Sequence, residues 1–202
     1  MPVAYLVRHG HNEINAGGAV AAYGEAGLTA LGHDQVLGLA ASWKPRPAVT
    51  VASPFASAVQ TAQLLQAGRI EFALDDRLRE FSYLSPSFAN GTTRSQRQDR
   101  AEKYWDSEDP SYADGDDSES FADLAARVGH FLDEQAEATT PVVAVTHGMV
   151  IALAQLLTRE DPTGVRDLFR RFKYSLQTRG VVANCAVVEL PAVGHQLGWT
   201  SD

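Results

Sequence analysis

The chain of 202 residues is long enough for a single domain with a sizeable core. Its 45% hydrophobic and 21% charged residues are typical of a soluble globular protein and exclude a disordered or fibrous one. The formal net charge of -8 argues against a broad nucleic-acid-binding surface or a surface for anionic membranes. We therefore expect any site for a small anion to be a local pocket.

Compartment and membrane association can be predicted from three features. Cys185 is the only cysteine, so no intrachain disulfide is possible and a reducing cytoplasm is the simplest location. The first residues lack the basic and long apolar regions of a secretory signal. The longest apolar tract, residues 142–157, is short for a bilayer span and contains His147. These features predict a cytoplasmic protein without membrane contact.

The first third of the chain alternates between strand-like and helix-like patterns. Residues 3–7 form a short β-rich run, and residues 28–43 have helical spacing with Thr29 as a cap, despite two glycines. Residues 48–52 predict a second strand and residues 54–65 a second helix.

The remainder continues this alternation after a weak strand at residues 71–74. Residues 121–137 carry apolar side chains at helical spacing, and residues 142–145 form an apolar strand. A helix is predicted over residues 149–157 and a late strand over residues 185–190. Apolar strands that alternate with helices predict an α/β fold with a mostly parallel sheet covered on both faces.

Residues 82–120 differ from the rest because they are polar and rich in turn-forming residues. A short helix is predicted within them, over residues 98–105, and the acidic residues 106–119 are interpreted as a solvated face. A long connection inside a compact domain is more often a functional lid than a linker. We therefore predict a single domain, 1–202, with a lid-like insert at about 82–120.

Polar side chains follow three of the predicted strands. They are Arg8-His9-Gly10, Ser53-Pro54 and His147-Gly148. Ligands of open parallel sheets bind outside the carboxyl ends of the strands, so these endings are expected at one edge. One such histidine alone would be interpreted as structural, but two histidines beside an arginine favour a functional site.

This set of side chains suits phosphoryl transfer. A neutral imidazole is a nucleophile toward phosphorus, and the Arg8 guanidinium presents a bidentate fork to phosphate oxygens. A second, protonated imidazole would add charge-assisted donors. Phosphoryl transfer depends mainly on positioning and charge stabilisation, which this set supplies without a metal ion.

Five ordered motifs carry a family resemblance across most of the chain. They are RHG at 8–10 with Asn15 five residues later, LTALGHDQ at 28–35, SPFASAVQTA at 53–62, LRE at 78–80 and VTHG at 145–148. The sequence resembles the histidine phosphatase superfamily, also called phosphoglycerate-mutase-like. This resemblance implies a three-layer α/β/α sandwich and an enzyme that needs no cofactor or metal and acts on a small phosphorylated substrate.

The resemblance also implies a role for each matching residue. His9 matches the nucleophile that becomes phosphorylated, and Arg8 and His147 match residues of the phosphate pocket. Asn15 matches a polar residue that lines this pocket. Glu80 matches the acid that protonates the leaving oxygen, a role that requires a carboxyl kept protonated by partial burial or nearby charge. An exposed structural Glu80 is the competing interpretation.

One position departs from the family pattern. The family usually has a second phosphate-binding arginine where this chain has Ser57, which offers one hydroxyl instead of a cationic fork. Losing such a contact would slow phosphoryl transfer about 10²-fold or more. Substitutes are available nearby in sequence, namely Arg79, Arg94, Arg97 and Arg100.

Three alternatives to a phosphomonoesterase remain open at this point. Phosphoglycerate-mutase-type transfer is less favoured because the substrate-binding basic residues of the mutases have no match here. A catalytically impaired phosphate-ligand-binding member is suggested by Ser57. A metal-dependent amidohydrolase is suggested by His9-x-His11, but it leaves Arg8 unexplained and the chain is short for an eight-stranded barrel. In the favoured interpretation His11 only lines the pocket entrance.

Overall fold

The computed structural model describes residues 3–17, 19, 22–43, 49–66, 71–159 and 162–191. Its strands are β1 (Val3–Arg8), β2 (Val49–Ala52), β3 (Ala73–Leu74), β4 (Val142–Thr146) and β5 (Val187–Pro191). Its helices are α1 (Ala30–Ser42), α2 (Ala56–Leu65), α3 (Pro86–Ala89), α4 (Gln98–Asp106), α5 (Phe121–Glu137), α6 (Gly148–Arg159) and α7 (Val165–Arg179). None of the helices in these ranges is both long and apolar enough to cross a membrane.

The five strands form one sheet in the order β3-β2-β4-β1-β5. All neighbouring pairs are parallel except β1 with β5, which is antiparallel. The register places Arg8 beside Thr146 and therefore aligns the carboxyl ends of β1 and β4. The mostly parallel sheet predicted from the alternation of strands and helices is confirmed.

Each face of the sheet has its own apolar core, because alternate side chains of a strand point to opposite faces. Leu6 of β1 and Ala144 of β4 pack in a large cluster with buried residues of α5, α6 and α7. Val7 and Val145 pack in a smaller cluster with Ala58 of α2. Helices therefore cover both faces, and the three-layer α/β/α sandwich is confirmed.

Most predicted elements are present, with small shifts at their ends. The Thr29 hydroxyl caps α1 by accepting a hydrogen bond from the Gly32 N–H at 3.2 Å. Residues 121–137 are helical as predicted, with a capping box at Ser120. The predicted start of the second strand, Ala48, lies outside the described residues. The strand predicted from residue 185 is wrong at its start, because Cys185 has a left-handed φ of 59° and β5 begins at Val187.

The helix α7 was not predicted from the sequence. It buries Leu168, Phe169 and Phe172 in the larger core. These three side chains have the i, i+1, i+4 spacing of one helical face. Five basic residues and an acidic one surround them in VRDLFRRFKYSLQTR, so the apolar stripe is narrow and its signal is weak.

A close backbone approach explains one of the two glycines in the first helix. A Cβ atom on Gly32 would lie 2.0 Å from the carbonyl oxygen of His11, which no side chain could tolerate. A Cβ atom on Gly10 would lie 2.7 Å from the Gly32 carbonyl oxygen. The loop after β1 therefore packs directly on the first turn of α1, and this contact fixes the course of the chain after His9.

The segment 82–120 is partly built into the core. Its helix α4 contributes Tyr104, which is fully buried, and Trp105, which stacks on Phe169 at a ring-centroid distance of 5.7 Å. Arg100 donates to the Asp114 carboxylate at 2.6 Å and links α4 to the second half of the segment. The segment is therefore anchored to the sandwich by its aromatic residues, and this ion pair holds its two halves together.

Candidate active site

The polar strand endings meet in a crevice at the carboxyl edge of the sheet. The N–H of His9 donates to the Thr146 carbonyl at 3.0 Å, and the N–H of Ser53 donates to the Val145 carbonyl at 2.9 Å. The chain leaves β1 toward the face covered by α1 and leaves β4 toward the face covered by α6. Adjacent strands whose connections leave in opposite directions open a crevice for ligands. The structure thus brings His9, Ser53 and His147 together.

A cavity of about 140 Å³ occupies this crevice. All six residues proposed from the sequence for the site line it. They are Arg8, His9, Asn15, Ser57, Glu80 and His147. Its other lining residues are Asn12, Ile14, Tyr23, Phe55, Phe81, Tyr83 and Met149.

His9 is buried at the floor of this cavity, with 4% of its surface exposed. Its Nδ1 lies 2.7 Å from the Gly10 carbonyl oxygen, so Nδ1 carries the proton and donates it. This tautomer leaves the lone pair of Nε2 available. Burial lowers the pKa of His9 to about 4, and the positive charge of Arg8 acts in the same direction. His9 is therefore neutral near pH 7, with a lone pair on Nε2 that is suited to act as a base or nucleophile.

His147 lies beside His9 with its ring centroid 5.0 Å away. Its Nε2 is 2.8 Å from the Ser53 hydroxyl, and the ring of Phe55 packs against it at 5.3 Å. Burial holds the pKa of His147 well below its usual value, with further lowering by His9, Arg127 and Arg8. His147, which was expected from the sequence to be protonated, is therefore neutral when no ligand is bound. A bound phosphate dianion would raise its pKa.

Arg8 is the guanidinium of this cavity. Its Nη1 donates to the Val182 carbonyl at 2.5 Å, while its Nε is buried and has no hydrogen-bond partner in the described part of the chain. Burial lowers the pKa of Arg8, and the nearby Glu80 carboxyl opposes this shift. An arginine keeps its charge despite such a shift. One fixed cation with unpaired donor capacity therefore faces the cavity.

Glu80 lies at the cavity wall between the segment after β3 and the start of α6. Its Oε1 accepts from the Phe81 N–H at 3.0 Å, and its Oε2 accepts from the Met149 N–H at 3.3 Å. Burial raises the pKa of Glu80, although both hydrogen bonds and the charges of Arg8 and Arg127 oppose this. The competing interpretation of an exposed structural glutamate is therefore not supported.

Ser57 and Asn15 occupy opposite parts of the same polar network. Ser57 is 2% exposed, and its hydroxyl accepts from the Asn12 side-chain amide at 3.4 Å. The Asn15 side-chain oxygen accepts from the Asn184 amide at 3.0 Å. Asn184 also donates to the His9 carbonyl at 3.0 Å. This network holds the loop after β1 against the segment before β5.

Four arginines were considered as substitutes for the second guanidinium that Ser57 replaces. Three of them are bound to other groups of the described chain. Arg100 is bound to Asp114, and Arg97 donates to the Thr92 carbonyl at 2.5 Å. Arg79 is exposed and donates to the Asp76 carbonyl at 3.2 Å. Arg94 has no hydrogen-bonded or ionic partner among the described residues and lines a second, adjoining cavity.

The adjoining cavity is larger, at about 860 Å³, and opens beside the first. The two cavities share Ile14, Asn15, Tyr23, Tyr83 and Met149 as lining residues. The larger one is also lined by residues of the 82–120 segment, namely Arg94, Arg97, Gln98, Ala101, Glu102 and Trp105. His11 lines it as well, which agrees with the prediction that this histidine is at the pocket entrance.

Sequence reasoning missed the residue that holds the acid in place. Arg127 of α5 donates to the carbonyls of Arg77 at 2.5 Å and Glu80 at 3.5 Å. Its guanidinium also forms an ion pair with Glu119, with the shorter N···O distance 2.5 Å. In the sequence, Arg127 is one charged residue on an amphipathic helix. Its neighbours in the sequence do not distinguish it from a surface residue.

The amidohydrolase alternative does not fit this arrangement. An open five-stranded sheet replaces the barrel that this class requires. His9 lines the smaller cavity, while the Nδ1 of His11 lies 2.9 Å from the Thr29 hydroxyl. Within the described ranges no group of three or more histidine, cysteine, aspartate or glutamate residues is arranged to hold a metal ion.

Comparisons with known proteins agree with the fold. The family model of the histidine phosphatase superfamily (branch 1) matches residues 4–174. The chain belongs to this superfamily. The resemblance stated from five motifs is thereby confirmed over most of the chain. No curated protein matched the sequence.

Solved structures of similar fold include several phosphatases. A mycobacterial glucosyl-3-phosphoglycerate phosphatase in complex with VO3 is 25% identical, with a TM-score of 0.72, and the match covers 95% of this chain and 93% of that one. A phosphoserine phosphatase from Entamoeba histolytica shares the fold at 22% identity, 94% and 90% coverage and a TM-score of 0.70. The alpha-ribazole phosphatase from Shigella flexneri does so at 21% identity, 93% and 89% coverage and a TM-score of 0.69.

Proposed function

We propose that this protein is a metal-independent phosphomonoesterase that acts through a phosphohistidine intermediate on a small phosphorylated metabolite. The observation that carries the proposal is the free Nε2 of neutral His9, which shares one cavity with Arg8, His147 and Glu80. The superfamily assignment and the phosphatase at 25% identity support phosphoester chemistry. The proposal includes a single cytoplasmic domain in which residues 82–120 form the wall over the substrate.

The first chemical step transfers the phosphoryl group to His9. A bond forms between Nε2 and phosphorus while the bond between phosphorus and the leaving oxygen breaks. The proton of the Glu80 carboxyl passes to the leaving oxygen, which departs as an alcohol. The guanidinium of Arg8 and the imidazole of His147 bind the phosphoryl oxygens and stabilise their charge.

The second step regenerates the free enzyme. A water molecule occupies the position vacated by the alcohol and attacks phosphorus. The Glu80 carboxylate accepts the proton of this water, in the reverse of its first role. The bond between phosphorus and Nε2 then breaks, which releases inorganic phosphate and restores neutral His9.

A second candidate function follows from Ser57. The family's second guanidinium is replaced by a buried hydroxyl at the cavity wall. A catalytically impaired member that only binds a phosphorylated ligand is therefore the main rival. Phosphoglycerate-mutase-type transfer is a further alternative, in which a second substrate hydroxyl replaces the attacking water.

Turnover of p-nitrophenyl phosphate in the presence of a chelator distinguishes these functions. We expect the wild-type protein to release phosphate and the His9→Ala variant to lose essentially all of this activity. His130→Ala is the matched control, because this histidine is exposed on α5. Equal turnover by wild type and His9→Ala would reject the phosphatase, whereas tight phosphate binding without turnover would favour the impaired member. A panel of phosphorylated metabolites would then identify the substrate.

A further inference from the structure

Three arginines stand apart from the others in the described part of the chain. Most arginines there have an ionic or hydrogen-bonded partner, for example Arg170 with Glu108. Arg94, Arg159 and Arg179 have none within that part. Arg94 lines the larger cavity beside the active site, whereas Arg159 and Arg179 are exposed at the ends of two other helices.

Arg159 and Arg179 line one cavity of about 260 Å³ between α6 and α7. The polar side chains of Gln155 and Ser175 line it too, and neither has a hydrogen-bond partner among the described residues. The remaining lining residues are Ala152, Leu156, Gly180, Val181 and Val182. Among the described residues, the lining therefore combines two cations and two neutral polar groups with no carboxylate.

The helix dipole does not account for this convergence. Each arginine lies in the last turn of its helix, where a cation is favourable. The two helices are antiparallel, since Gly148 at the start of α6 packs against Val181, which follows the end of α7. Their carboxyl ends therefore lie at opposite ends of the pair, yet both guanidiniums line the same cavity.

The wall of this cavity is connected to the active site. Val182 lines the cavity, and its carbonyl oxygen accepts the 2.5 Å hydrogen bond from Nη1 of Arg8. Gly180 precedes it with a left-handed φ of 68°, a conformation that other residues rarely adopt. A ligand that contacts this segment therefore acts on the backbone that holds the phosphate-binding guanidinium.

We propose that the cavity between α6 and α7 is a second anion-binding site, and that its occupancy is coupled to Arg8 through residues 180–182. Two guanidinium forks beside a hydroxyl and an amide suit a small oxyanion with at least two charges, such as sulfate, a phosphate group or a dicarboxylate. The coupling part rests on the proposed phosphatase function, whereas the binding site does not.

A sulfate titration followed by amide NMR of the full chain tests the binding site directly. The catalytic cavity and the new cavity are resolved in one sample, because the first is reported by Gly10 and the second by Gln155 and Ser175, which lie outside residues 180–182. We expect saturable shifts at both places in the wild type. In Arg159→Gln/Arg179→Gln the second set should disappear or need at least about tenfold more sulfate, a difference of about 1.4 kcal/mol.

The double variant Arg166→Gln/Arg170→Gln is the matched control. It also removes two positive charges, but from exposed positions on α7 that do not line the cavity. It should keep both sets of shifts. Absence of saturable shifts at Gln155 and Ser175 in the wild type, or an equal loss in both double variants, would overturn the site.

Inhibition kinetics with p-nitrophenyl phosphate test the coupling. Sulfate in the catalytic cavity competes with substrate and raises KM only. Sulfate in the second site also binds the substrate complex, so the wild type should show a change in kcat as well. Arg159→Gln/Arg179→Gln should show competitive inhibition alone, and a purely competitive pattern in the wild type would overturn the coupling. Without any turnover the proposed function fails, while the amide shifts still decide the binding site.

Discussion

Glu80 and Met149 are joined by a hydrogen bond in which the Met149 N–H donates to the Glu80 carboxyl at 3.3 Å. Met149 lies in the first turn of α6, directly after His147 and Gly148, so this bond fixes the Glu80 carboxyl relative to His147. Among the described residues that line the smaller cavity, Glu80 is the one carboxylic acid. Its role is open to a direct test.

Replacing Glu80 with glutamine should separate substrates by their leaving groups. An alkyl alkoxide is a poor leaving group and needs protonation, so Glu80→Gln should lose about 10²–10⁴-fold on alkyl phosphates. A nitrophenolate leaves without much help, so the loss on p-nitrophenyl phosphate should be much smaller. The measurement is kcat/KM for both substrates, with Glu119→Gln as a comparison that disturbs the neighbouring ion pair. Equal losses on both substrates would assign the acid elsewhere, with Asp75 or Asp76 as candidates.

The pH dependence of kcat/KM should be bell-shaped with its maximum on the acid side of neutrality. His9 must be neutral to attack, so activity should rise as pH increases through its pKa of about 4. Glu80 must be protonated to assist the leaving group, so activity should fall once pH exceeds its raised pKa. In Glu80→Gln the falling limb should vanish while the rising limb stays. A falling limb that survives this substitution would contradict the assignment.

The site residues at the ends of strands could be predicted from the sequence without the family resemblance. Arg8, His9 and His147 follow apolar runs directly, and parallel strands bring their carboxyl ends together, so local patterns were sufficient. Asn15, Ser57 and Glu80 were identified through the family resemblance and not through a local pattern. The residues that were missed act across long sequence distances.

Arg127 and Asn184 illustrate why the rest could not be predicted. Arg127 contacts the Glu80 carbonyl from a helix 47 residues away in sequence, and Asn184 donates to the His9 carbonyl from 175 residues away. Neither has a local pattern that distinguishes it from a surface residue. The helix α7 was missed for a different reason, because its apolar stripe is outnumbered by charged residues in the same window.

Trapping of the intermediate should identify His9 as the nucleophile. A phosphoramidate is labile in acid, so brief incubation with labelled substrate followed by an alkaline quench should leave one phosphate per chain. His9→Ala should carry none, because no Nε2 remains at the cavity floor. His130→Ala should be labelled like the wild type, since this side chain is exposed on α5. Labelling of His9→Ala at the wild-type level would reject the assignment.

Position 57 offers a gain-of-function experiment. Ser57 is buried beside Asn12 and lines the same cavity as His9, so a longer side chain at this position enters the phosphate pocket. Ser57→Arg should add a second guanidinium fork on the phosphoryl oxygens. We expect the concentration of vanadate that gives half inhibition to fall about tenfold and kcat/KM to rise. Ser57→Met is the matched control, because it adds a flexible side chain without charge.

The comparison of these two variants also reveals whether Arg94 already serves the phosphate. If Arg94 reaches into the smaller cavity when substrate binds, the new guanidinium crowds and repels it, and activity falls in Ser57→Arg. Removing that competitor in Ser57→Arg/Arg94→Gln should then restore activity above that of Arg94→Gln alone. If position 57 alone completes the pocket, Arg94→Gln should leave vanadate inhibition unchanged in both backgrounds. Unchanged inhibition and unchanged turnover in Ser57→Arg would show that position 57 does not contact the phosphate, and the match of SPFASAVQTA to the family motif would then be wrong.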